Sequence, residues 1–342
     1  MRYILFFLAL ILIGCSEKEN PKPFSNVTIT NVLEDSVSIR AIEFLDTRTL
    51  AFAGSIGMYG TLDVPSGKIR SAIMDFEGNT PEFRAVAHTS SDFFMLSVAS
   101  PALLYKTGDG GKMELVYKEE GEHVFYDAMR FWNDQEGIAI GDGSDGCLAI
   151  LITRDGGQTW EKTPCEGLPK LEGDVGAYAA SNTNIEIVGD KTWVITSKEQ
   201  MLFSSDKGTN WQIVETSIKL IGEYHGIYSI DFYDENLGFA IGGDFSKPEI
   251  NRFNKMRTVN GGLQWELVAQ DTLPGYKSCV QFVPNSDGKG LVALGFTGID
   301  YSEDGGENWK HLSKEGFYTL RFLNDTVAYA AGSNRIARLV FR

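Results

Sequence analysis

The chain has 342 residues, 31 Lys and Arg against 46 Asp and Glu, a net charge of −15 and four cysteines. So acidic a chain, with no basic stripe, excludes nucleic acid as a partner and excludes docking on anionic headgroups through its side chains. No second apolar run of membrane-spanning length follows the N-terminal one.

At the N-terminus, Arg2 precedes an apolar run from Tyr3 to Ile13 that ends in Leu12-Ile13-Gly14-Cys15. The run is too short to span a bilayer, and small Gly14 before Cys15 resembles the site at which signal peptidase II cleaves lipoproteins. Residues 1–14 are therefore expected to be a lipoprotein signal peptide, with Cys15 as the lipid-bearing first residue of the mature protein. Residues 15–24, polar and Pro-containing, read as a flexible tether. Its charge resembles the surface-export signal of Bacteroidetes lipoproteins, which implies an exported protein, lipid-anchored in the envelope at the outer membrane and exposed at the cell surface.

From residue 25 to 342 the chain repeats itself. Short apolar segments open each unit: IRAIEF (39–44), FRAVAH (83–88), YDAMRF (126–131), AYAASN (177–182), IYSIDF (227–232), KSCVQF (277–282) and FYTLRF (317–322). Each is followed by an Ala/Gly-rich strand such as LAFAG (50–54) or GIAIG (137–141). Strand signals recur with no helical period, so the array reads as all-β. The third residue of each opening is small (Ala41, Ala85, Ala128, Ala179, Ser229, Cys279, Thr319), as expected where inner strands converge on an axis. These features predict a seven-bladed β-propeller. The last unit lacks an outer strand, and VTITNV (27–32) is expected to supply it and close the ring.

Most units also carry an Asp box. TRDGGQTW (153–160), SSDKGTNW (204–211), TVNGGLQW (258–265) and SEDGGENW (302–309) are clear copies, and TGDGGKME (107–114) is a decayed one. Four of the six tryptophans close such a box. Asp109, Asp155, Asp206, Asn260 and Asp304 are expected to accept turn N–H groups, with Trp160, Trp211, Trp265 and Trp309 packed beneath. These roles are structural. Cys147 and Cys165 flank one hairpin symmetrically and either form a disulfide or stay free, whereas Cys279 lies in an apolar strand. Gly141-Asp142-Gly143-Ser144-Asp145-Gly146 spells GxGxxG, yet it lies between strands with no helix to receive a pyrophosphate, so it is a glycine-rich turn and no dinucleotide, metal or other cofactor is expected.

Asp boxes are shared with sialidases, but the chain has no Arg-Ile-Pro, and no catalytic residue is assigned. Units of this length, their boxes and openings such as IRAIEF resemble the photosystem II stability/assembly factor family of seven-bladed, Asp-box (BNR-like) propellers. That resemblance implies a non-catalytic module that binds a protein partner, and an arginine patch on one face. Arg40 and Arg84 match such a patch in kind, while Asp127, Tyr178, Tyr228, Ser278 and Tyr318 occupy the same column in other units.

Equivalent positions converge on one mouth of the channel, so Arg40, Arg84, Asp127, Tyr178, Tyr228 and Tyr318, with His123 and His225 nearby, are the candidate binding residues. Arg130 and Arg321, three columns on, are expected to enter the channel opposite Glu43 and Asp231. The sequence thus points to a monomeric envelope-anchored binding or assembly module for a protein partner, with membrane contact through its lipid alone. The alternative is a carbohydrate-active enzyme or glycan-binding protein.

Overall fold

A computed structural model describes residues 22–342. The expected signal peptide, Cys15 and most of the tether lie outside the described residues. The fold is all-β and radial, a β-propeller. Its sheets hold the openings innermost: Phe83–His88, Tyr126–Phe131, His225–Phe232, Cys279–Phe282 and Thr319–Phe322 are inner strands, together with the second half of the long strand Val27–Asp46. Each hydrogen-bonds outward to its Ala/Gly-rich partner, as in Ala139 opposite both Met129 and Leu151. That middle strand is wholly buried because its small side chains lie between two packed sheets.

The expected seven blades are corrected to six sheets. Five are four-stranded, and strands of the first and last repeats share one six-stranded sheet. The cause is the length of the terminal strands. Val27–Asp46 pairs through residues 27–38 with Val327–Phe341 and through residues 39–46 with Thr49–Gly54, so hydrogen bonding never breaks between the two repeats. Phe24 extends this seam, with its ring 4.7 Å from Tyr301 and 4.9 Å from Phe341.

A second correction concerns the fourth repeat. AYAASN (177–182) is not a strand; the inner strand of that sheet is Ile185–Val188. The preceding residues cross the axis and plug it. The Ser181 hydroxyl donates to the Ser278 carbonyl (2.6 Å), Asn182 Nδ2 to the Val86 carbonyl (2.8 Å), and the Met129 N–H to Asn182 Oδ1 (3.0 Å). The Thr183 hydroxyl donates to Ser229 Oγ (2.8 Å), that of Thr319 to the Ser181 carbonyl (2.9 Å), and Arg40 to the Ala180 carbonyl (3.4 Å). The plug thereby touches the inner strand, or its immediate flank, of every other repeat, and residues 181–184 are fully buried.

The boxes are built alike. In the second, the Gly208 N–H donates to Ser204 Oγ (2.9 Å), and Asp206 accepts from the Asn210 N–H (2.8 Å) and side-chain amide (2.7 Å). Asp155, Asn260 and Asp304 accept the equivalent N–H at 2.9–3.0 Å. The second glycine needs positive φ (77° at Gly157, 92° at Gly306) and lies against an aromatic of the preceding sheet, Phe94 or Phe239. Trp211, Trp265 and Trp309 each donate from Nε1 to that glycine's carbonyl or its equivalent, at 2.9–3.1 Å, while buried Trp160 Nε1 has no acceptor. Asp109 falls in a short 3-10 turn, Asp109–Gly111. Cys147 and Cys165 are disulfide-bonded, and Cys279 is a buried free thiol.

Candidate functional site

The plug divides the channel in two. Above it lies an open cup of about 1450 Å3, lined by the starts of the inner strands and the loops that flank them. Below it is a smaller cavity of about 550 Å3 at the strand ends, lined by Glu43, Asp231, Gln281 and Arg321 among others.

One device aims side chains into the cup. In four inner strands the residue before the small column is a β-bulge: Arg40, Arg84, Asp127 and Tyr228 each lack a cross-strand partner between two paired neighbours. A bulge re-aims its side chain out of the regular alternation. Arg40, Arg84 and Tyr228 accordingly line the cup, as do Tyr178, Tyr318 and His123. Of the candidate mouth residues, Asp127 and His225 do not line it. Asp127 is wholly buried beneath the cup wall. His225 is 1% exposed, with Nε2 at 3.0 Å from the Arg252 carbonyl, because residues 244–254 fold over it.

The wall changes character around the ring. On the first two repeats it is cationic. The Arg40 guanidinium lies 4.1 Å over the Tyr318 ring, and its buried Nε has no acceptor; burial, followed by the charge of Arg84, lowers its pKa. Arg84 is paired with Glu82 at 2.7 Å. On the third repeat and the segment leading to the fourth, the wall is acidic. Glu122, Asp142 and Asp174 line it. Asp142 accepts the Ala177 N–H at 3.1 Å, and burial raises its pKa. Burial, and then the neighbouring charge of Asp142, holds the Asp127 carboxyl well above the usual carboxylate range.

The fourth to sixth repeats supply an aromatic wall. Tyr178 stacks on Tyr228 with ring centres 4.0 Å apart, and Tyr276 meets Tyr228 edge-on at 5.1 Å. Burial pushes the Tyr178 hydroxyl up to about 12, and that of Tyr228 further still, so both remain neutral donors. Beyond them Phe245 and Phe296 stand on turns with nearly half their surface in solvent. Sequence reasoning missed Tyr276, Phe245 and Phe296, along with Asp142. The available signal was an aromatic or acid directly after the Ala/Gly-rich strand, in GGDF (242–245), GF (295–296) and GD (141–142).

The lower cavity holds a charge cluster in which Arg130 and Arg321 meet Glu43 at 3.2 and 2.9 Å, and Arg130 meets Glu186 at 3.5 Å. Asp231 accepts the Phe282 N–H at 2.6 Å, while burial and then the neighbouring Glu186 push its pKa up to about 8. Among the described residues no group of three or more His, Cys, Asp and Glu side chains is placed to hold a metal ion.

Radial sheets, boxed hairpins and a loop-lined cup define the class as an Asp-box β-propeller. Within that class, residues 113–243 match the family described as photosynthesis system II assembly factor YCF48. The whole described fold is similar to a solved structure of YCF48 bound to D1 peptide (12% identity, TM-score 0.66, covering 96% of this chain and 100% of that one). It is similar also to YCF48 from Cyanidioschyzon merolae (16%, TM-score 0.64, 92% and 98%). A GH74 xyloglucanase from Xanthomonas campestris shares the fold at 14% identity and TM-score 0.63; 91% of this chain covers 53% of that enzyme. No curated protein sequence matches the chain.

Proposed function

We propose that this protein is a non-catalytic binding or assembly module that holds a peptide segment of a protein partner in the cup, working as a monomer tethered to the cell envelope by a lipid on Cys15. The observation that carries the reading is the cup itself. Bulges aim Arg40, Arg84 and Tyr228 into a wide, plugged concavity whose aromatic wall offers large contact area with polar tips, the composition that dominates protein-binding energetics. The solved YCF48 propeller with a bound D1 peptide supports a peptide ligand for this fold.

Glycoside cleavage fits less well. Its two carboxyls must stand about 5 Å or more apart to flank a sugar bond. Asp127 is wholly buried and does not line the cup, so beside Asp142 it offers no second carboxyl across a bound sugar.

The test is affinity capture from solubilised envelope, comparing the wild type with an Arg40→Ala, Arg84→Ala double variant of unchanged circular dichroism and Tm. One protein captured by the wild type and lost with the double variant is the expected outcome. Equal capture by both, or by neither, overturns the reading. Fatty-acid labelling that disappears in Cys15→Ser, together with loss of the protein from the membrane fraction, checks the anchor.

A further inference from the structure

Charge is unevenly shared around the cup. Every Arg, Asp and Glu that lines it belongs to the first three repeats or to the segment leading to the fourth, whereas the fifth and sixth repeats contribute only Tyr228, Phe245, Tyr276 and Phe296. Phe245 and Phe296 are 44% and 46% exposed, and both lie against Tyr276, with ring centres 6.4 and 5.3 Å from its own. Tyr224, 40% exposed, continues the run outward with its ring 4.6 Å from Phe245. Single exposed apolar residues are ordinary on a protein surface, but several in contact at the lip of a cavity mark an interaction site.

The loops that carry these rings are firmly braced. Lys255 is wholly buried, and its ammonium donates to the Pro274 carbonyl (2.8 Å), the Thr272 carbonyl (3.0 Å) and Asn254 Oδ1 (2.9 Å), which fixes the segment leading to Tyr276. Lys277, 2% exposed, pairs with Asp300 at 2.6 Å and donates to the Thr297 hydroxyl (3.0 Å) and the Gly298 carbonyl (3.1 Å), which fixes the turn bearing Phe296. Beside Phe245, the Asp244 carboxylate accepts the Ser246 N–H (2.8 Å) and hydroxyl (2.6 Å). A buried ammonium is costly even when bonded. Joining two strands requires neither that brace nor a phenylalanine in water; holding rings ready for a ligand is served by both.

We propose that Phe245, Tyr276 and Phe296 form a subsite for a large apolar side chain, aromatic or leucine-like, of the bound polypeptide. The proposal rests on the peptide-binding reading and names one feature of the peptide. Such a side chain gains by leaving water among rings already fixed in place, and an aromatic one adds edge and face contacts. A charged side chain would lose its hydration there and find no partner, because no charged residue lines that side of the cup. A sugar is the poorer occupant, since its hydroxyls need polar side chains around them, and no Asn or Gln lines the cup. The peptide's apolar residue thus lies at the fifth and sixth repeats and its charged residues at the first three, which fixes its direction in the cup.

The experiment is selection of a random dodecapeptide phage library on the full-length protein, followed by titration of a synthetic copy of the enriched peptide against the wild type, Phe245→Ala and Phe296→Ala, both variants checked for unchanged Tm. The selected peptides should share one Phe, Tyr, Trp, Leu, Ile or Met. Replacing that residue by Ala in the peptide, or either phenylalanine by Ala in the protein, should weaken binding about tenfold. Making both changes together should weaken it less than the product of the two, as contact between them requires. Peptides that share no such residue, or that bind either variant as tightly as the wild type, overturn the subsite while the peptide-binding reading stands. Failure to select any peptide overturns both, and xyloglucan oligosaccharides that bind the wild type but not Phe296→Ala would then assign the rings to sugar.

Discussion

Asn182 Nδ2 donates to the Val86 carbonyl at 2.8 Å, joining residues 96 positions apart across the axis of the propeller. With the Met129 N–H donating to its Oδ1, this one side chain ties the plug to two inner strands, from a backbone at φ 58° that asparagine tolerates better than most residues. Asn182→Ala leaves a buried carbonyl and a buried N–H without partners and should cost about 3 kcal/mol. Urea unfolding of the variant would show the midpoint falling with little change in slope.

The charge cluster below the plug makes stability depend on pH in a definite sense. Asp231 is raised to about 8 by burial and by Glu186, against an ordinary unfolded value near 4. A carboxyl whose folded pKa is raised favours the folded state fully only below its unfolded pKa. That contribution is lost as pH rises towards 8. Asp231→Asn keeps an acceptor for the Phe282 N–H, so the variant should lose less stability than the wild type between pH 5 and 8 in parallel thermal melts.

The Asp boxes have the opposite sign. Hydrogen bonds from their own turns outweigh desolvation and lower the pKa of Asp155, Asp206 and Asp304. A lowered carboxyl stabilises above its unfolded pKa, and the gain fades as pH falls through the folded value. Asp206→Ala should cost about 1 kcal/mol at neutral pH, and the difference from wild type should shrink in acid, measured by urea unfolding at both.

Reduction of the Cys147–Cys165 disulfide, which closes a loop of 18 residues, should cost about 3 kcal/mol through the unfolded chain. The loop carries the Asp box at 153–160. A Cys147→Ser, Cys165→Ser variant should therefore melt lower in the absence of reductant and show no further drop when dithiothreitol is added.

The repeat, the boxes and the ring order were legible because each depends on a local pattern: small residues where strands converge, Gly at positive φ, Trp below a turn. The pairing of Arg130 and Arg321 with Glu43 was also readable from column position. What failed depended on long-range pairing. Nothing local in AYAASN shows that Ala180, Ser181 and Asn182 bond to five other inner strands or their flanks, so it resembles a strand opening of ordinary type. The six-sheet count turns on hydrogen bonding that runs uninterrupted through Val27–Asp46 and Val327–Phe341, which no periodicity records. In the cup, Arg40 and Tyr228 followed from the column. Phe245 and Phe296 did not, because turn residues have no column to betray them.

Phe24, seated beside Tyr301 and near Val283, Ser286 and Gly290, enters the propeller at the end of the channel away from the cup. From Phe24 back to the proposed lipid on Cys15 is a stretch that reaches about 30 Å at full extension. If the proposed anchor is there, so short a leash would hold the molecule by its rear and turn the cup away from the bilayer, towards whatever approaches from the aqueous side.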